Sequence, residues 1–171
     1  MNVVRKKTYY IGIDGGKHCG FAVWNKQTRK FEALKTFLFW DCIMALGLYL
    51  KKYLAEKSEV IIIIEDVTQI SATFSKHKEG ITNQAELDKI SQHVGNVKRD
   101  TQLIMEYCER NKLKMYKVVP SAKTYTKLTQ EKFNYLSGWA GKAVSQHARD
   151  AGMLIISKIY NGYYKQGLLN H

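Results

Sequence analysis

The sequence predicts an α/β domain in which helices flank both faces of a mixed five-stranded sheet, with three antiparallel strands followed by two parallel ones. Short apolar runs separated by polar turns fill the first third of the chain, as in a series of hairpins. A continuous β-branched run and a long helical pattern follow. The 171 residues contain no internal repeat and no linker rich in Pro or Ser, so residues 1–171 are predicted to form one domain.

The first three strands are predicted at residues 8–14, 19–25 and 30–37, and they are joined by short turns that suit antiparallel pairing. Asp41 is then expected to cap a helix that ends near Lys57, because apolar residues recur there at helical spacing.

The second half alternates between strands and helices. Val60 to Ile64 lacks polar alternation, which is typical of a central strand covered on both faces. A polar loop is predicted over 66–84, followed by a long amphipathic helix from Leu87 to Cys108. The remaining predicted elements are a strand at 114–119, a short basic helix near 121–129 and a last helix from about 142 to 160.

The composition indicates a soluble intracellular protein with a polyanionic partner. Lys and Arg number 27 against 15 Asp and Glu, a net charge of 27 − 15 = +12, and this excess favours nucleic acid. Cys19, Cys42 and Cys108 form no CxxC pair, which argues against a disulfide framework or a zinc site. We find no secretion signal, and the longest aliphatic run, at 60–64, is too short to cross a membrane.

Four residues could form a metal site. Asp14 ends the first predicted strand beside two glycines, and Glu65 ends the fourth. His147 and Asp150 lie three residues apart on one helix face, beside small residues that allow close packing. If the first and fourth strands are neighbours, the two carboxylates lie side by side and favour a cation. Oxygen ligands with one imidazole suit Mg²⁺ or Mn²⁺ better than structural zinc.

Each residue also has an ordinary structural interpretation. Asp14 could belong to a turn, His147 could be a helix histidine with a satisfied hydrogen bond, and Asp150 could pair with a nearby cation. Glu65 is harder to explain in this way, because a carboxylate after five aliphatic residues is costly to bury unpaired.

Four segments resemble RuvC-like Holliday junction resolvases. They are the first hairpin (Ile11-Gly12-Ile13-Asp14-Gly15-Gly16 with Gly20-Phe21-Ala22-Val23), Ile64-Glu65, Val118-Val119-Pro120-Ser121, and His147-Ala148-Arg149-Asp150-Ala151. The resemblance spans nearly the whole chain and is weakest at 66–86. Gly15 stands where the family usually has proline, which loosens the turn without removing a ligand.

The resemblance implies an RNase H-like nuclease that acts as a homodimer, in which each subunit cuts one of two symmetric strands of a four-way DNA junction. It implies that Asp14, Glu65, His147 and Asp150 are catalytic metal ligands. Two Mg²⁺ ions per active site, for which Mn²⁺ may substitute, would activate water and stabilise charge on the attacking and leaving oxygens. The dimer contact is expected on the long helix, where Gly95 permits close approach.

Basic and aromatic residues near the expected site are candidates for DNA contacts. They are Lys17, Phe74, Lys76, Lys98, Arg99, Lys123, Lys127 and Lys142. Two alternatives to junction resolution stay open: a nuclease of the same fold that cuts flaps or RNA–DNA hybrids, and a non-catalytic protein that binds branched DNA.

Overall fold

The computed structural model describes residues 6–69, 83–120 and 127–164. Five strands form a single sheet: β1 (Thr8–Asp14), β2 (His18–Asn25), β3 (Lys30–Leu38), β4 (Glu59–Glu65) and β5 (Lys114–Val118). Their spatial order is β3-β2-β1-β4-β5. β1 pairs antiparallel with β2, as does β2 with β3, whereas β1–β4 and β4–β5 are parallel. The predicted α/β class and mixed sheet are therefore confirmed.

Four helices cover the two faces of the sheet: α1 (Phe39–Ala55), α2 (Gln84–Arg110), α3 (Gln130–Ser137) and α4 (Gln146–Tyr164). α1 and α2 pack on one face, where alternate residues of β1 and β4 such as Ile11, Ile13, Ile62 and Ile64 are buried. α3 and α4 pack on the other face, which buries Ile63. The run of isoleucines in β4 is thus covered on both sides, as its lack of alternation predicts.

Two helices begin away from their predicted positions. α1 begins at Phe39 after Leu38, which makes no side-chain cap, so Asp41 lies in the first turn and the prediction that it caps the helix is wrong. α4 begins at Gln146 instead of near 142, because the Ser145 hydroxyl accepts a hydrogen bond from the Ala148 N–H at 3.2 Å. Ser145 thereby satisfies a backbone donor that the helix itself leaves unpaired.

Most of the helix predicted at 121–129 lies outside the described ranges, because residues 121–126 are not described. Its last three residues, 127–129, are not helical. A helix forms instead immediately afterwards, as α3. Thr129 caps its start by accepting from the Lys132 N–H at 3.3 Å, and Gly138 ends it in the left-handed conformation at φ 66°. The hydroxyl cap and the glycine set the bounds of α3 more strongly than the basic residues before it.

The polar segment 66–84 is only partly described. Val67–Gln69 forms one short 3-10 turn, and α2 starts at Gln84. Residues 88–96 of α2 are exposed, including Ile90 and Val94, and a side chain at Gly95 would meet nothing within 4 Å among the described residues. Its second half joins the core through Ile104 and its neighbours. None of the helices within the described ranges combines the length and apolar character that a bilayer crossing requires.

Candidate active site

The candidate site lies at the carboxyl ends of β1 and β4. These strands are parallel neighbours, and their last aligned pair is Ile13 with Ile64. Asp14 and Glu65 each follow that pair by one residue. Because side chains alternate along a strand, both point to the face covered by α4, opposite to Ile13 and Ile64. The prediction that these carboxylates share an edge of the sheet agrees with this register.

Helix α4 crosses β1 and β2 with almost no space between the backbones. A Cβ atom added to Gly12 would overlap the carbonyl oxygen of Ala151, and one added to Gly20 would overlap that of His147. Ala148 and Ala151 are fully buried in this contact. The small residues of α4 were expected to allow close packing, and the glycines of the sheet complete it. The contact sets His147 directly above the end of β1.

Asp14 and His147 are in direct contact. Nδ1 of His147 lies 3.2 Å from Oδ2 of Asp14, while the Asp14 side chain is 17% exposed and that of His147 is 50% exposed. The carboxylate therefore orients the ring, and the second ring nitrogen points away from Asp14.

Burial and mutual repulsion raise the pKa values of the two strand carboxylates, Asp14 and Glu65. Burial raises the pKa of Asp14 to about 6; the charge of Asp150 adds to the rise, and the hydrogen bond from His147 opposes it. Burial also raises the pKa of Glu65 to about 7, and the charges of Asp14 and Asp150 contribute. The three acidic groups thus lie within electrostatic reach of one another, and a bound cation would stabilise their ionised forms.

Asp150 is held by the chain that leads into α3. Its Oδ1 accepts a hydrogen bond from the Lys127 backbone N–H at 2.8 Å, and Gln146 Nε2 lies 3.5 Å from Oδ2. Lys127 has a positive φ of 57°, a conformation that is uncommon for a residue with a side chain. The carboxylate therefore fixes an unfavourable backbone conformation next to the site.

The donor types fit a hard divalent cation, since three carboxylates with one imidazole are ligands that Mg²⁺ or Mn²⁺ accepts. In their present positions, no three His, Cys, Asp or Glu side chains of the described residues are close enough to one another to hold an ion. The three carboxylates interact through their charges, and His147 joins them through its contact with Asp14. Each Asp150 oxygen accepts one hydrogen bond and keeps a second lone pair with which it could bind a cation.

Asp66 follows Glu65 but has a structural role. It is 3% exposed and accepts hydrogen bonds from the backbone N–H and the hydroxyl of Thr68. Its side chain stabilises the turn after β4, on the face opposite to Glu65.

Four of the proposed DNA-contact residues lie near the site. Lys17 is exposed in the turn after Asp14, and the backbone of Lys127 contacts Asp150. Lys98 and Arg99 lie on α2, between Val97 and Thr101, which approach Gly16 and Gly15 of the same turn.

The remaining four DNA-contact candidates are not placed at the site. Lys142 lies in the turn before α4, where its carbonyl accepts a hydrogen bond from Trp139 Nε1 at 2.9 Å, and no described contact links its side chain to the acidic cluster. Phe74, Lys76 and Lys123 lie outside the described residues.

His18 is a site residue that the sequence analysis missed. Its ring stacks on that of His147, with centroids 6.4 Å apart and the planes inclined by 26°. A strand-period signal could have found it, because Gly20 faces α4 and His18 stands two residues earlier on the same face of β2. His18 lacks the spacing to other histidines, cysteines or acids that marks a metal ligand in a sequence.

Comparison of the chain with protein-family models and with curated proteins finds no match.

Proposed function

We propose that the protein is a metal-dependent, structure-selective endonuclease with an RNase H-like fold, which resolves four-way and related branched DNA junctions by symmetric nicking as a homodimer. The observation that carries the proposal is the gathering of Asp14, Glu65, His147 and Asp150, from two strands and a helix, at one edge of the sheet. Burial, with a smaller contribution from the neighbouring carboxylate charges, raises the pKa values of Asp14 and Glu65. Such perturbed carboxylates are characteristic of functional sites.

The topology supports the proposal. Three antiparallel strands followed by two parallel ones, with helices on both faces, is the arrangement that the resemblance to RuvC-like resolvases implies. The helix that carries His147 and Asp150 lies across β1, so the C-terminal motif reaches the Asp14 motif although 133 positions separate His147 from Asp14.

Asp14, Glu65, Asp150 and His147 would hold two Mg²⁺ or Mn²⁺ ions. When bound, such ions supply a hydroxide near neutral pH and stabilise charge on the attacking and leaving oxygens. Asp14 contacts His147, and its strand β1 is the neighbour of β4, which ends in Glu65, so Asp14 would be a ligand common to both parts of the site. Its contact with Nδ1 fixes the His147 ring, whose half-exposed position suits the orientation of an attacking water. A phosphate would approach from the side of His147, which is half exposed, because Gly15 and Gly16 are packed against Thr101 and Val97 of α2.

The charge of the chain suits a DNA substrate. A net charge of +12 attracts the phosphate backbone at long range, and Lys17 places part of this charge in the turn that follows Asp14. Two symmetric nicks at a four-way junction need two active sites, which a two-fold homodimer supplies.

The test is cleavage of a synthetic immobile four-way junction beside a linear duplex, a flap and an RNA–DNA hybrid, each with Mg²⁺ or with EDTA. The protein is used as wild type, Glu65→Gln and Glu131→Gln, an exposed control in α3. We expect paired nicks on the junction with wild type and Glu131→Gln, and none with Glu65→Gln or EDTA, while junction binding persists.

The other outcomes separate the alternatives. Preferential cutting of the flap or the hybrid would show that the protein is a nuclease whose substrate is not the four-way junction. Tight junction binding without cutting in Mg²⁺ or Mn²⁺ would refute the enzyme and leave a non-catalytic protein that binds branched DNA.

A further inference from the structure

The outer face of α1 carries a continuous apolar stripe. Trp40, Met44 and Leu48 are spaced by four residues, so they lie along one side of the helix. Their exposed fractions are 72%, 65% and 68%, although this helix also buries Leu46, Leu50 and Tyr53 in the core. Large apolar side chains grouped in this way on a charged protein mark an interaction surface.

A cleft of about 450 Å³ adjoins the stripe, between α1 and β3. It is lined by Lys35, Phe37, Asp41, Met44, Ala45, Leu48, Tyr49 and Lys52. The stripe and the cleft together offer apolar side chains next to a recess, which is the pairing found at the centre of protein interfaces.

The charges at the two ends of the stripe have opposite signs. Asp41 lies in the first turn of α1, while Lys51 and Lys52 lie near its last turn. All three are exposed, and they form no ion pair with any of the residues that the structure describes. The helix is therefore negative at its start and positive at its end along this face.

This pattern is complementary to itself when a second helix lies antiparallel. A two-fold axis level with residue 46 brings Met44 opposite the partner's Leu48. The same axis brings Asp41 towards the partner's Lys52, and Trp40 towards the partner's Lys51, where a cation–π contact can form. A parallel arrangement would instead oppose like charges at both ends, so the charges favour the antiparallel one.

We propose that α1 is the surface on which a second copy of this chain docks, through an antiparallel contact of the two α1 helices around a two-fold axis. The sequence predicts a dimer contact on α2 instead. In the described part of α2, the exposed apolar side chains are Ile90 at 47% and Val94 at 41%, which are less exposed than those of α1. This inference does not depend on nuclease activity.

The first test is the mass of the full chain in solution, measured by light scattering and sedimentation. We expect wild type to have twice the mass of one chain, and Met44→Glu combined with Leu48→Glu to be a folded monomer, with dimerisation weakened at least about 100-fold. Val94→Glu on α2 is the matched control and should remain dimeric. A monomeric wild type, or loss of the dimer in Val94→Glu but not in the α1 variant, overturns the proposal.

Charge exchange tests the antiparallel geometry. Asp41→Lys alone and Lys52→Glu alone should each weaken the dimer by about tenfold, because each opposes like charges across the axis. The double variant, with both residues exchanged, should recover the wild-type dissociation constant. Failure of the double variant to recover it, while circular dichroism shows all variants folded, would overturn the proposed pairing.

Discussion

Replacing Glu65 by Gln should stabilise the protein at neutral pH when no metal is present. The pKa of Glu65 is raised from 4.5 to about 7 by burial and by the charges of Asp14 and Asp150. The ionised form of Glu65 is thus disfavoured in the folded state. At any pH at which Glu65 is ionised in the unfolded chain, this lowers the free energy of unfolding. Gln keeps the shape of the side chain and removes the charge.

The pH dependence follows from the sign of this shift. Below about pH 4.5, Glu65 is protonated in both states and has no effect on the free energy of unfolding. As the pH rises towards 7, the unfolded state releases its proton first, so the wild type loses stability. The advantage of Glu65→Gln should be small at pH 4.5, grow up to pH 7 and be constant above it.

The magnitude follows from the same shift. A rise from 4.5 to about 7 corresponds to about 3 kcal/mol at most. Glu65 is only partly buried, and solvent screening reduces the effect to about 1–2 kcal/mol. For a chain of this length, the melting temperature should rise by about 3–6 °C.

Thermal and urea unfolding in EDTA from pH 4.5 to 8 measure this difference. Glu131→Gln is the control: hydrogen bonds lower the pKa of Glu131, so its replacement should bring no gain at neutral pH. Saturating Mg²⁺ should raise the melting temperature of wild type more than that of Glu65→Gln. An advantage that does not change with pH, or a Glu65→Gln protein less stable than wild type at pH 8, would refute the electrostatic reasoning.

Two further predictions concern stability alone. Gly20→Ala should lower the free energy of unfolding by about 2–4 kcal/mol in urea titrations, because its Cβ would overlap the His147 carbonyl. Gly95→Ala, in open space on a helix, should instead add about 0.5–1 kcal/mol, and equal effects of the two would contradict the close packing. Thr101→Val should stabilise by about 1 kcal/mol, since the buried Thr101 hydroxyl has no hydrogen-bond partner among the described residues. Thr68→Val, which loses a bond to a buried carboxylate, should destabilise, and the reverse order would refute this assignment.

The elements of the sheet were predictable because their signals are local. Uninterrupted β-branched residues identify β4 as central, and polar turns delimit β1, β2 and β3. Asp14 and Glu65 could be selected for the same reason: each is the acidic residue at the end of a buried run. Their common face then follows from strand alternation once the two strands are neighbours.

The features that sequence reasoning missed depend on contacts between distant segments. Ser145 sets the start of α4, and Thr129 sets the start of α3, each by accepting a backbone hydrogen bond. In both cases the cap decides where the helix begins, although good helix formers lie nearby. His18 joins the site only because α4 crosses β2 at Gly20. The strand period places His18 on the same face of β2 as Gly20, but no spacing along the chain shows that α4 covers this face.

Because α4 contacts Gly12 and Gly20 through its backbone, the position of His147 is determined by main-chain packing and not by side-chain packing. Where two elements meet through side chains, substitutions that change volume shift one element against the other. At Gly12 and Gly20 the helix backbone lies directly on the strands, with the small side chains of Ala148 and Ala151 buried beside the contact. Volume changes in the surrounding core should therefore leave the distance between His147 and Asp14 unchanged. Residues of both hydrophobic layers can be exchanged over evolutionary time while the geometry at the end of β1 is retained.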